Sequence, residues 1–167
     1  MTPEVPEVKA WRLQMLLTFT SFLTFCFSTA FADQRVNDTF PAAQIELRET
    51  VLSIANDIMT ANFEGLQVAH LESDKFTKFG PRKFERQGLS EANASEATFF
   101  SSISDVDYRV NDLKIDVIGD IGIVTYYPQV SFIKEGESKM VDGRQTFVFL
   151  RTNNGWKIVH EHGTVRP

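Results

Sequence analysis

Residues 143–167, GRQTFVFLRTNNGWKIVHEHGTVRP, decide the fold. Apolar and polar side chains alternate on both sides of Asn153-Asn154-Gly155, a tight turn signal. Two long strands joined by such a turn make an antiparallel hairpin. The pattern extends backwards: Lys139–Thr152 and Ile121–Ile133 read as strands meeting at Gly136. Before the Gly119-Asp120 turn, Tyr108, Val110, Leu113, Ile115 and Val117 alternate with polar residues, with a slip at Asn111-Asp112 that reads as a bulge.

Ahead of this meander the period changes. Leu47, Val51, Ile54 and Ile58 recur in steps of four, three and four, which predicts an amphipathic helix over about Phe40 to Ala61. Asp38 or Thr39 is its expected cap, and Pro41 sits in its first turn. Asn62 caps a second short helix. A short strand around Phe76 to Phe79 precedes the Gly80-Pro81 turn, and a helix starts near Ser90. Helices followed by a meander give an α+β fold, an antiparallel sheet with the helices covering one face.

The first residues have a different character. Lys9 and Arg12 precede an uncharged run from Leu13 to Ala32 that ends in Ala30-Phe31-Ala32, followed by Asp33. A basic flank, an apolar run and a small-x-small site read as a signal peptide over 1–32, cleaved before Asp33. An uncleaved membrane anchor is the alternative. Residues 33–38 read as a flexible N-terminus and 39–167 as the domain. The protein is therefore expected to be exported, periplasmic or secreted, with no membrane attachment after cleavage. The single cysteine, Cys26, lies in this leader, so disulfides, thiolate catalysis and zinc-thiolate sites drop out of the mature chain.

Composition narrows the function. With 17 basic residues against 22 acidic ones, the 167-residue chain carries net charge -5. Lys75, Lys78, Arg82, Lys83 and Arg86 make a local basic patch that reads as a solvated face. The balance argues against nucleic acid as a partner.

Gly143, Arg144, Thr146, Gly155, Trp156, Ile158, Val159, His160 and His162 carry a resemblance. The chain resembles the nuclear transport factor 2-like superfamily, especially its SnoaL-like branch and the association domain of calcium/calmodulin-dependent protein kinase II. The resemblance implies a curved antiparallel sheet wrapped around the N-terminal helices, forming a cone with a pocket at its wide end. Many relatives have Ser after the second His, where this chain has Gly163. The superfamily spans isomerases, cyclases, dehydratases, binding modules and oligomerisation domains, so fold does not choose function.

Strand parity sorts the candidate site residues. It groups Trp156, Ile158, His160 and His162 on one face, with Glu161 on the other. Arg144 reads either as a clamp for a small organic anion or as half of a buried ion pair. Thr146, His162, Trp156 and Tyr127 complete the expected ligand-binding set. Asp74, His160 and Tyr126 form the expected acid-base set. His160-x-His162 with His70 or Asp74 could hold a metal; the reading preferred is a hydrogen-bonded pair, with no metal and no cofactor. The leading function is an exported domain binding a small anionic or carboxylated ligand. A lyase, isomerase or cyclase and a structural association domain are the alternatives. Apolar residues on both faces of the last strands predict a homodimer through the sheet.

Overall fold

The computed structural model describes residues 36, 38–81 and 83–166. The signal-peptide reading, with its cleavage site at Ala30, Ala32 and Asp33, falls outside them. So do residues 33–35 and 37 of the segment read as the N-terminus of the mature chain. No helix among the described residues is long and apolar enough to cross a membrane.

Helix α1 (Pro41–Met59) buries the expected stripe of Leu47, Val51, Ile54 and Ile58, with Ala43 and Ala55. Its N-cap is Phe40, not Asp38 or Thr39, and no side chain bonds the first turn. Pro41 removes one of the amides a cap would have to satisfy. Helix α2 (Phe63–Ala69) starts as expected, with the Asn62 side chain accepting from the Gly65 amide at 3.2 Å. Strand β1 (Thr77–Phe79) and helix α3 (Leu89–Phe100) follow, then the meander β2 (Ser104–Ile118), β3 (Ile121–Lys134), β4 (Glu137–Thr152) and β5 (Gly155–Val165).

The sheet order is β1-β5-β4-β3-β2. The meander is antiparallel, but β1 lies parallel to β5, with Thr77 opposite His160 and Phe79 opposite His162. The sheet is thus mixed. A three-residue edge strand gives no sequence cue to its direction, which is set by where α2 delivers the chain. His70 already bridges Ile158 in parallel, and the Leu71 amide donates to the Ile158 carbonyl at 2.8 Å.

Two irregularities control the inner face. The slip near Asn111-Asp112 is a bulge: the β2–β3 register shifts there and Asp112 has φ 51°. A second bulge in β5 has no sequence signature. Val148 pairs with His160 and Phe149 with Ile158, so Val159 is an extra residue. It reverses parity. Trp156 and Ile158 face the helices, but beyond the bulge the inward residues are Glu161 and Gly163, while His160 and His162 turn outward.

The core lies between α1 and the inner face. Phe149, Phe76, Leu47, Ile158, Val51 and Val124 are fully buried. Each stabilises the fold by about 1.5–3 kcal/mol through burial alone.

Candidate functional site

The inner face, α1, α2 and α3 do not close completely. They leave a cavity of about 830 Å³. Most of its wall is apolar, with Ile54, Ile58, Leu66, Phe99, Phe132 and Phe147 among the lining residues. His70, Lys78, Glu96, Tyr108 and Glu161 bring ionisable groups to it.

Four of these side chains form one cluster. Lys78 Nζ donates to Glu96 and lies 3.0 Å from Glu161 Oε1. His70 Nε2 lies 3.8 Å from Glu96 Oε1 and 3.7 Å from Glu161 Oε2. His70 Nδ1 lies 2.8 Å from Asn93 Oδ1; an amide oxygen only accepts, so Nδ1 carries a proton. Each residue comes from a different place. His70 is the C-cap of α2, Lys78 the centre of β1, Glu96 the third turn of α3, and Glu161 the inward residue after the β5 bulge. The four side chains are 3–14% exposed. Burying four such groups is tolerable only because each meets an opposite charge or a hydrogen bond.

Burial pulls these groups towards their neutral forms, and the neighbours decide the outcome. Desolvation works against the Glu161 carboxylate, yet Lys78 and His70 hold its pKa at about 2. Glu96 goes the other way. Burial and the Glu161 charge raise its pKa, and Lys78 and His70 offset only part of this. Desolvation opposes the protonated form of His70, but the bond to Glu161 and the two carboxylate charges raise its pKa above the ordinary 6.5. Lys78 is likewise held above its ordinary value, burial being outweighed by Glu161 and Glu96. The cluster therefore contains one firm carboxylate, one carboxylate that takes a proton more readily, and an imidazole that holds its proton more firmly than usual.

Beside it, the Tyr108 and Tyr126 hydroxyls are 2.9 Å apart. Burial raises the Tyr108 pKa to about 12, with the charges of Glu161 and Lys78 also reaching it. Tyr126 rises well above its ordinary value by burial and by Tyr108. Both phenols stay protonated at neutral pH. Tyr108 lines the cavity, while Tyr126 is 3% exposed.

His70, Glu96 and Glu161 are ligand types, and their ligating atoms lie within 4.8 Å of one another. Lys78 already sits on both carboxylates, so its ammonium supplies the cation a metal would bring.

Most of the residues singled out in the sequence lie away from this cluster; Arg144 is among the residues that line the cavity, and Tyr126 reaches it through Tyr108. Asp74 is exposed next to Ser73, whose Oγ donates to its Oδ1 at 3.3 Å. His160 Nδ1 is 2.8 Å from Thr77 Oγ1, and the rings of His160 and His162 both meet the edge or face of Phe79. Trp156 is buried where its Nε1 donates to Glu46 Oε2 at 3.1 Å and Arg151 stacks on its ring. Arg144, Thr146, His162 and Tyr127 share the outer face; Arg144 is exposed, and no carboxylate among the described residues lies within ion-pair distance. The sequence reading missed Glu96 and Tyr108 as site residues, put Lys78 in a solvated patch, weighed His70 only as a metal ligand, and turned Glu161 outward. Lys78 had one available signal, as a lone cation between Phe76 and Phe79 in a strand.

Among known families, the SnoaL-like domain matches residues 47–166. The chain belongs to that family. A candidate dehydratase of the nuclear transport factor 2-like family from Streptomyces avermitilis is 18% identical, superposes with a TM-score of 0.70, and covers 77% of this chain and 99% of its own. The calcium/calmodulin-dependent protein kinase II hub from S. rosetta is 20% identical at a TM-score of 0.61, over 77% of this chain and 99% of that one. A Caulobacter vibrioides protein with a cystatin-like fold is 11% identical at 0.63, covering 75% and 91%. These likenesses establish the fold, the expected nuclear transport factor 2-like one. No curated protein matches the chain. Such a fold suits ligand binding or a small enzyme.

Proposed function

We propose that the protein binds a small, largely apolar molecule in the central cavity and moves a proton on it, as an isomerase or lyase. The observation that carries this is the buried His70–Lys78–Glu96–Glu161 cluster opening on an apolar cavity of about 830 Å³. A group meant to exchange protons near neutrality needs a pKa shifted towards that range. Glu96 has one, raised by burial and by Glu161. In this reading Glu96 accepts the proton, Tyr108 donates a hydrogen bond to the substrate oxygen, and Lys78 and His70 hold the cluster's charge. Lys78 and the two carboxylates sum to one negative charge, and protonated His70 brings the sum to zero. The cluster therefore favours a neutral, oxygen-bearing group beside it.

Deuterium exchange tests the proposal. Cyclic and aromatic ketones are incubated with the protein in D₂O and followed by NMR. Exchange next to the carbonyl, lost in Glu96→Gln, is expected. Saturable binding without exchange would leave a ligand-binding domain, the second reading. Neither binding nor exchange would refute the cavity reading.

Two further parts of the proposal rest on other grounds. Export is supported by Lys9, Arg12 and the Ala30-x-Ala32 site. Self-association has coarse support from the hub-type relative, and the apolar outer residues Ile123, Val148 and Leu150 make the sheet the proposed contact face.

A further inference from the structure

The outer face holds a second concavity. Strand register places Asn111 beside Tyr127 and Arg144 beside Thr164. In the next row Gln129 pairs with Asp142, and the Arg166 amide donates to the Asp142 carbonyl at 2.8 Å. Arg144, Arg166, Tyr127 and Asn111 line a cleft of about 510 Å³. Its floor is a lapse in the sheet: β3–β4 pairing skips Tyr127-Pro128 opposite Gly143-Arg144. Proline cannot donate to the ladder. Gly143 cannot be replaced cheaply, because a Cβ there would come within 2.6 Å of the Thr164 carbonyl oxygen and 3.3 Å of Pro128 Cγ.

The charges in this cleft are uncommitted. The other two arginines of the strands are paired, Arg109 with Asp107 and Arg151 with Glu46. Arg144 and Arg166 have no carboxylate partner among the described residues. Asp142, the acidic residue in the lining, accepts from Gln129 Nε2 at 3.1 Å. An acidic protein thus lines a single concavity with two arginines, one tyrosine, two side-chain amides and one carboxylate.

We propose that this cleft binds a small oxyanion, a carboxylate or a phosphate monoester, at a site that borders the central cavity through Pro128, Gly143 and Arg144 but holds none of its buried cluster. A guanidinium presents parallel N–H donors that match two oxygens of either anion, and Tyr127 and Asn111 add neutral donors. The site involves none of the cavity cluster, so its failure would leave the proton-transfer reading standing.

The test is calorimetric titration with inorganic phosphate and, separately, malonate, whose relative affinities distinguish the two anion classes. Saturable binding of at least one probe is expected, weakened about tenfold or more by Arg144→Gln and by Arg166→Gln. Lys114→Gln, an exposed cation bonded to Asp116, leaves it unchanged. Arg144→Lys keeps the charge but loses the fork, and should weaken binding severalfold; it decides the matter if a Gln variant misfolds. Absence of saturable binding, or equal weakening by Lys114→Gln, overturns the proposal. So does a dimer that phosphate dissociates and Arg144→Gln weakens, which would put an acidic side chain of a second copy in the cleft.

Discussion

Replacing Lys78 with Met removes the cation from a buried cluster and keeps the volume of the stem. Glu96 and Glu161 are then left facing each other with oxygens 4.8 Å apart or closer. At an effective dielectric of about 20, two unit charges at that distance repel by about 3.5 kcal/mol. Breaking a buried ion pair from one side costs about 3–5 kcal/mol, in the same range. The predicted loss is therefore about 3–5 kcal/mol at pH 7, or roughly 10–20 °C in melting temperature for a domain of this size. The pH dependence is more diagnostic than the size. In the wild-type protein Glu161 has a folded pKa of about 2 against an ordinary 4.5. Its stabilisation is present above about pH 4.5 and lost as pH falls towards 2. In Lys78→Met one carboxylate takes up a proton on folding. The folded state then binds more protons than the unfolded one, and stability rises as pH falls from 7 towards 5. Urea unfolding by circular dichroism, repeated from pH 4 to pH 8, measures both. A variant within about 0.5 kcal/mol of wild type at pH 7, with an unchanged pH slope, would refute the argument.

His70 contributes in the opposite sense: its pKa is raised on folding, so its stabilisation is complete below about pH 6.5 and disappears as pH climbs through the folded value. His70→Gln should flatten the dependence of stability on pH above about 6.5, read by thermal melts; an unchanged slope would assign that titration elsewhere. Gly122→Ala places a Cβ 2.5 Å from Leu47 Cδ1 in the core, so it should destabilise by about 1–3 kcal/mol in denaturant melts. Tyr126→Phe deletes one partner of the Tyr108 hydroxyl and should cost about 1–3 kcal/mol, and where turnover is measurable it should lower kcat more than it raises KM. Arg144→Met should leave the melting temperature within about 2 °C, because the side chain is exposed, and a large fall would expose a buried partner.

The local physics of the chain fixes the elements. The 3.6-residue stripe of Leu47, Val51, Ile54 and Ile58 and the two-residue alternation after Asp105 each state which face is buried, and both hold in the structure. Turns at Gly119, Gly136 and Gly155 fall where positive φ demands glycine. The slip at Asn111-Asp112 is legible because it disturbs an otherwise regular alternation. Parity carries no such warning at Val159. Its neighbours Ile158 and His160 fit the pattern either way, and only pairing with Val148 and Phe149 reveals the extra residue. One misplaced register step inverts every residue beyond it, which sends His160 and His162 outward and brings Glu161 in. The direction of β1 likewise depends on tertiary structure, since three residues hold no record of their neighbour. The cluster depends on it most. His70, Lys78, Glu96 and Glu161 come from four separate elements, and each alone is an ordinary polar residue. Their perturbed titration exists only because folding removes water from all four at once and leaves them to neutralise one another.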